Sequence, residues 1–369
     1  MTRVRAVELR LVGLPLVRPF RTSFGETTEK VCILARVETD DAEGWGECVC
    51  DADPGFSEEF NGGAWQVLRE FLAPALFRAG DLAPTDLDGV FAFVRGNPMA
   101  KATLVNAFLD AWLRAEERSL ASYLGADRDR VACGVSVGIA PDAATLVEQV
   151  EAYLADGYRR IKLKIEPGAD VERVRAVRAA NPDTLLSVDA NAAYALDDVE
   201  TFRELDRLGL LMIEQPLHHD DLVDHAKLQS MLETDLCLDE SIRSADRAAA
   251  ALELGSCRIV NIKQGRVGGV LEAVRVHDVA QAQGVPVWCG GMLETGIGRA
   301  TNLAVAALPG FTLPGDTSPS SRYFEEDLTE PHVMAADGTM EVPQGPGIGM
   351  DPRPGRLEAC TLERETLRP

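Results

Sequence analysis

Residues 185–240 read LLSVDANAAYALDDVETFRELDRLGLLMIEQPLHHDDLVDHAKLQSMLETDLCLDE. Three short apolar runs, Leu185–Asn191, Leu210–Gln215 and Asp235–Glu240, alternate with amphipathic helical stretches. Each run delivers an acid near its end, and Asp189, Glu214 and Asp239 fall at a constant interval of 25 residues. That interval is the length of one strand–helix unit. The acids therefore occupy equivalent places on three successive parallel strands.

Working outward, the same alternation runs from about residue 131 to residue 325. Further apolar strands are expected at Ala132–Ile139, Arg160–Ile165, Arg258–Lys263, Pro286–Gly290 and Phe311–Gly315, with helices such as Asp142–Leu154 and Leu271–Gln283 between them. Eight near-continuously apolar strands with seven or eight helices read as a parallel (β/α)7β TIM-type barrel. An open doubly wound sheet is the alternative, but no glycine-rich phosphate loop follows the first strand.

Before the barrel, residues 1–50 read as three strands, Val4–Val12, Lys30–Val37 and Gly44–Cys50. Loops Arg18–Thr28 and Asp51–Gly63 and helices over 64–80 and 84–122 complete an α+β domain. The Pro- and Gly-rich residues after 325 are expected to return to it. The division is a capping domain (1–125), the barrel (126–325) and a returning C-terminal segment (326–369).

The 369 residues carry a formal charge of −22, which repels nucleic acid and anionic membranes. No apolar run approaches the ~18 residues of a membrane helix, and the first twenty residues alternate like a strand rather than a signal peptide. The expectation is a cytoplasmic enzyme, homo-oligomeric through its outer helices. Eight cysteines lie scattered in apolar runs and read as buried reduced thiols; Cys48 and Cys50 form a CxC with no second pair to complete a zinc site.

Barrel active sites sit on the rim reached by the strand ends. Here the second strand delivers Lys162 and Lys164, the third to fifth the three acids, and the sixth Lys263. Three carboxylates that close repel one another unless a cation lies among them, and an all-oxygen site suits Mg²⁺ or Mn²⁺. Lys162 and Lys164, two apart in a strand, share the inward face. A metal between an ammonium group on either hand fits removal of a proton next to a carboxylate: the cation stabilises the enediolate, and a lysine whose pKa neighbouring cations lower acts as base.

The strings Lys162-Leu-Lys164, Val188-Asp189-Ala-Asn191, Ile213-Glu214-Gln-Pro216, Leu238-Asp239-Glu240-Ser241 and Asn261-Ile-Lys263 resemble the muconate-lactonising-enzyme subgroup of the enolase superfamily, over essentially the whole chain. Arg21-Thr-Ser-Phe24-Gly25, Pro286-Val-Trp-Cys-Gly-Gly-Met292, Glu294-Thr-Gly-Ile-Gly298-Arg and Leu313-Pro-Gly-Asp316-Thr resemble its branch of o-succinylbenzoate synthases and N-acylamino acid (N-succinylamino acid) racemases. The resemblance implies Asp189, Glu214 and Asp239 as metal ligands. It implies Lys164 and Lys263 as the acid/base pair, with Lys162 supporting Lys164. Asn191 and Glu240 would stand behind the ligands. Ser136, Gly291 and Met292 would meet the acyl tail, and Phe20, Phe24 and Phe56 would close over the substrate. Arg266 matches a position tied to racemisation. The partner implied is a small-molecule carboxylate.

There are departures. Leu104-Val-Asn-Ala107 replaces a Glu-Met-Ala string, and Asp51 and Asp53 stand where relatives are more apolar, which bears on substrate choice. Asp316 is followed by Thr317 and Ser318 rather than completing the Asp-x-Asp of a dipeptide epimerase. A muconate cycloisomerase-like or acid-sugar enzyme is the chemical rival, and a non-catalytic barrel the rival of another class. A dead barrel would tolerate loss of a lysine or an acid, and none is lost. His218 and His219 read as a solvated loop, His225 and His277 as surface or packing residues, Trp288 as core, and Glu47 as solvent-facing.

Overall fold

The computed structural model describes all residues, 1–369. Seven parallel strands pair in chain order: Gly134–Val137, Arg160–Lys164, Leu186–Asp189, Ile213–Glu214, Leu236–Leu238, Ile259–Ile262 and Val287–Cys289. The expected eighth, around Phe311–Gly315, is not a regular strand. It closes the ring through single bridges, Phe311 to Val287 and Gly315 to Cys133. Pro314 lacks an N–H for the ladder. The closure rests instead on Gly134 N to Gly315 O (2.6 Å) and Asp316 N to Cys289 O (2.9 Å).

Alternation within the strands sorts the side chains. Ile161, Leu163 and Val188 face the surrounding helices in the main apolar core, whereas Met212, Cys237, Ile259 and Trp288 form a separate apolar layer. Two positions further along, Glu214, Asp239 and Asn261 stand above that layer. In register, Lys164 is level with Asp189, and Asp189 with Glu214.

The N-terminal strands are longer than the sequence suggests. Thr2–Thr22 and Gly25–Thr39 form one antiparallel hairpin whose pairing continues to Phe20–Thr27, Arg21–Glu26 and Thr22–Gly25. The segment Arg18–Thr28 is therefore a projecting arm with a tight tip rather than a loop; its Phe and Thr residues suit strands. Glu43–Cys48 and Thr361–Leu367 complete this sheet on its two sides.

The helix expected over 84–122 is broken. Gly96 and Asn97 take positive φ (64° and 53°), and Pro98 starts a fresh helix, Pro98–Ala115. A further break precedes Leu120–Leu124, which Ser119 caps. Pro98–Ala115 lies directly on the sheet, because a Cβ at Gly44 or Gly46 would come within 2.1 Å of its backbone. Beyond the barrel, Thr339–Glu341 pairs with Arg130–Ala132. All eight cysteines are buried and unbridged. No helix is long and apolar enough to cross a membrane.

Candidate active site

The inward face of Arg160–Lys164 carries three cations in a row. Deepest is Arg160, 4.7 Å above the Trp288 ring and donating to Pro314 O (2.9 Å) and Asp316 Oδ1 (2.6 Å). Lys162 comes next, with its ammonium 2.9 Å from Asp316 Oδ2, 2.9 Å from Glu214 Oε2 and 3.1 Å from Asp189 Oδ2. Lys164, at the rim, donates to Asp189 Oδ2 (2.7 Å) and Asn191 Oδ1 (2.6 Å). Across the mouth, Lys263 donates to Asp239 Oδ2 (2.8 Å) and lies 5.5 Å from the Phe56 ring centroid. Strands two and six of an eight-membered ring are diametrically opposed, so Lys164 and Lys263 flank the acids from opposite sides.

The backbone is shaped to present these groups. Asn191, Ala192 and Gln215 leave their strands with φ of 44°, 61° and 38°, left-handed values that cost energy in non-glycine residues. Gln215 offsets that cost by tying strand ends together: its side chain accepts from Asp239 N (3.0 Å) and Ser241 N (3.1 Å) and donates to Ser241 Oγ (2.8 Å). Gly290 leaves room for Lys263, since a Cβ there would lie 2.8 Å from Lys263 Cε.

Burial and charge set the titration. Burial opposes ionisation of Asp239, yet Arg266 and Lys263 hold its carboxyl well below the usual range. Asp189 is likewise opposed by burial and lowered by Lys164 and Lys162. Glu214, buried beside the charge of Asp189, is pushed up to about 8. Burial and Asp239 raise Glu240 to about 7. Burial works against the charges of Lys162 and Lys263, but the acids win and raise both pKa values, Lys162 by Asp316 and Lys263 by Asp239. Among protein groups alone, the expected lowering of a lysine pKa is therefore reversed for Lys263.

Most of the expected residues share one pocket: Phe20, Phe24, Phe56, Ser136, Lys162, Lys164, Asn191, Lys263, Gly291 and Met292. Asp189, Glu214 and Asp239 are buried beside the lysines of its floor. Glu240 accepts from Asn191 Nδ2 (2.8 Å), and Arg266 pairs with Asp239 Oδ1; both border a neighbouring cleft instead. The Ser136 hydroxyl is buried without a partner. The arm tip is held over the barrel by Ile139 N to Arg21 O (3.0 Å) and Arg21 to Glu166 (3.0 Å).

Some residues escaped the sequence reading. Asp316, part of the Leu313–Thr317 string, joins Arg160 to Lys162, a role its local sequence does not signal; the Arg-x-Lys-x-Lys alternation is the signal for Arg160. Tyr323 and Thr22 line the pocket without any sequence signal. Glu47 is not solvent-facing. It is buried and accepts from Thr295 N (3.1 Å), Thr295 Oγ1 (2.7 Å) and Gly298 N (2.9 Å) at the start of the barrel helix Gly296–Ala306. His218, His219 and Asp220 bring donor atoms within 4.8 Å of one another, but on the surface, where Arg243 already pairs with Asp220 (2.6 Å). His225 and His277 are packed.

The donor set fits a hard divalent cation: three buried carboxylates, all oxygen, with Glu214 Oε2 lacking a well-directed hydrogen bond.

Comparison with known proteins identifies the family. Residues 145–356 match the "Enolase C-terminal domain-like" family. The chain is 54% identical over 363 residues to an N-succinylamino acid racemase of an Amycolatopsis species, covering 98% of each protein. It is 49% identical over 359 residues to an o-succinylbenzoate synthase of Geobacillus kaustophilus, covering 97% of this chain and 96% of that one. A solved enolase-superfamily structure from Listeria innocua superposes with a TM-score of 0.96 at 38% identity, covering all of both chains. The barrel, its rim of acids and lysines and these likenesses lead to one conclusion: the chain belongs to the enolase superfamily, in the company of o-succinylbenzoate synthases and N-succinylamino acid racemases.

Proposed function

We propose that this enzyme removes the proton α to a carboxylate, dehydrating the cyclohexadiene precursor of o-succinylbenzoate and racemising N-succinylamino acids. The first reaction would place it in menaquinone biosynthesis. The observation that carries the reading is the pair Lys164 and Lys263, on opposed strands with the three acids between them.

Asp189, Glu214 and Asp239 would hold Mg²⁺, or Mn²⁺ in its place. A cation held there would supply Lewis-acid stabilisation of the enediolate and would offset the negative charge of the acids that otherwise raise the lysine pKa values. Lys164 and Lys263 exchange protons with the α-carbon from opposite faces, one as base and the other as acid, with roles set by the enantiomer bound. In the dehydration Lys164 takes the α-proton and returns it to the departing hydroxyl, while Lys263 contributes its charge. Lys162 and Asp316 keep Lys164 and Asp189 in place; Asn191 positions Lys164 and is itself held by Glu240. The aromatic residues of the arm and of the Asp51–Gly63 segment exclude water from the intermediate.

The test is an assay of both substrates side by side, with exchange of the α-hydrogen against solvent deuterium as readout. Turnover of either with α-exchange is expected. Failure of both in metal-loaded protein would refute the reading.

A further inference from the structure

Above the lysines the pocket wall is aromatic, with Phe24 and Phe56 in contact at 5.0 Å between ring centroids. One acid interrupts it. Asp51 lines the pocket beside Phe56, and its side chain is 34% exposed, open to whatever the pocket holds. It is fixed from behind by Lys30, whose side chain is almost fully buried. The three protons of that ammonium are spoken for: Val49 O at 3.0 Å, Cys50 O at 3.3 Å and Asp51 Oδ1 at 3.2 Å. Lys30 thus anchors one carboxylate oxygen, and no protein group donates to the other, Oδ2.

Asp51 has no part in proton transfer or metal binding. Its carboxylate lines the same pocket as Lys164 and Lys263, on the segment that also carries Phe56. An apolar wall ending in an anchored carboxylate suits an amphipathic ligand chain, with methylenes along the rings and a cationic head at the acid. We propose that Asp51 is a specificity-determining residue, selecting N-acylamino acids whose side chain ends in an ammonium or guanidinium over wholly aliphatic ones. The inference rests on the racemase reading above and names its substrate class.

The pair N-succinyl-lysine and N-succinyl-norleucine tests it, since both offer the same four-carbon stem and only one a cationic end. Wild-type enzyme should exchange the α-deuterium of the lysine compound with the higher kcat/KM. Asp51→Asn, which keeps an acceptor for Lys30, should lower the ratio of the two kcat/KM values about 10- to 100-fold, the worth of a charged hydrogen bond, mainly through KM. A second measurement needs no variant: both compounds carry the same two carboxylates, so their salt effects there cancel in the comparison, and rising salt should lower the wild-type ratio of kcat/KM for the lysine compound over norleucine. Equal wild-type kcat/KM values, or a ratio untouched in Asp51→Asn, would show that Asp51 only neutralises Lys30 and would overturn the inference alone. Exchange with neither compound nor any other N-acylamino acid would overturn the racemase reading, and this inference with it.

Discussion

Replacing Glu47 tests how the cap is fastened to the barrel. In Glu47→Ala the backbone N–H groups of Thr295 and Gly298 lose their acceptor inside the protein, while the Thr295 hydroxyl can turn elsewhere. Each stranded donor costs ~1–3 kcal/mol, so the loss should be roughly 2–5 kcal/mol after crediting the relief of a buried carboxylate. Glu47→Gln keeps one acceptor oxygen and should lose about half of that. The pH dependence has a definite sign. Burial raises the Glu47 pKa above its ordinary 4.5, so the folded protein holds this proton more tightly than the unfolded chain does. Its contribution is complete below about 4.5 and falls as pH rises through the raised value; glutamine has no such loss. The deficit of Glu47→Gln against wild type should therefore narrow as pH increases. Urea denaturation across that range, followed by tryptophan fluorescence, measures both effects. An alanine variant within about 0.5 kcal/mol of wild type, the range of ordinary surface changes, would refute the anchoring role.

Three further outcomes are expected. Excess chelator should abolish turnover and Mg²⁺ or Mn²⁺ restore it, and Asp239→Asn should cut activity by orders of magnitude; full activity in chelator would exclude the metal. Lys164→Ala should end both reactions, whereas Lys263→Ala should stop racemisation and leave α-deuterium exchange for one enantiomer only. Equal exchange of both enantiomers in Lys263→Ala would rule out opposed bases. Phe24→Ala should alter the preference among N-acylamino acids without changing metal affinity, measured by calorimetry; an unaltered profile would mean the ring merely packs on Phe56.

The site was legible wherever the signal was periodic. The constant interval from Asp189 to Asp239 carried strand, register and rim in one pattern, and Lys162 with Lys164 obeyed the two-residue period of a strand. What escaped was non-local. Phe311–Gly315 looks like a strand in apolar content, but ring geometry and Pro314 reduce it to single bridges. The stretch Arg18–Thr28 mixes Pro19, Ser23 and Gly25 with strand-forming Phe and Thr, and pairing along the full hairpin decides for strand. Glu47 has the local context of a surface acid, and its partners lie some 250 positions away, 248 for Thr295 and 251 for Gly298. The break at Gly96–Pro98 has its own local signal in Gly-Asn-Pro, but the apolar stripe of Leu104, Phe108 and Trp112 that follows makes the whole stretch look helical.

The cap sheet has a consequence for biosynthesis. Its first strand pairs with Thr361–Leu367, and Arg10 reaches Glu358 across 348 positions. Every barrel strand is translated between those two partners. On the ribosome the barrel can close while Val7–Val12 still has a bare edge, and the sheet that carries the lid is completed only afterwards. Such long-range pairing is slow to form, and an open edge in the meantime invites association between nascent chains. The order of assembly thus makes a scaffold first and a working enzyme last.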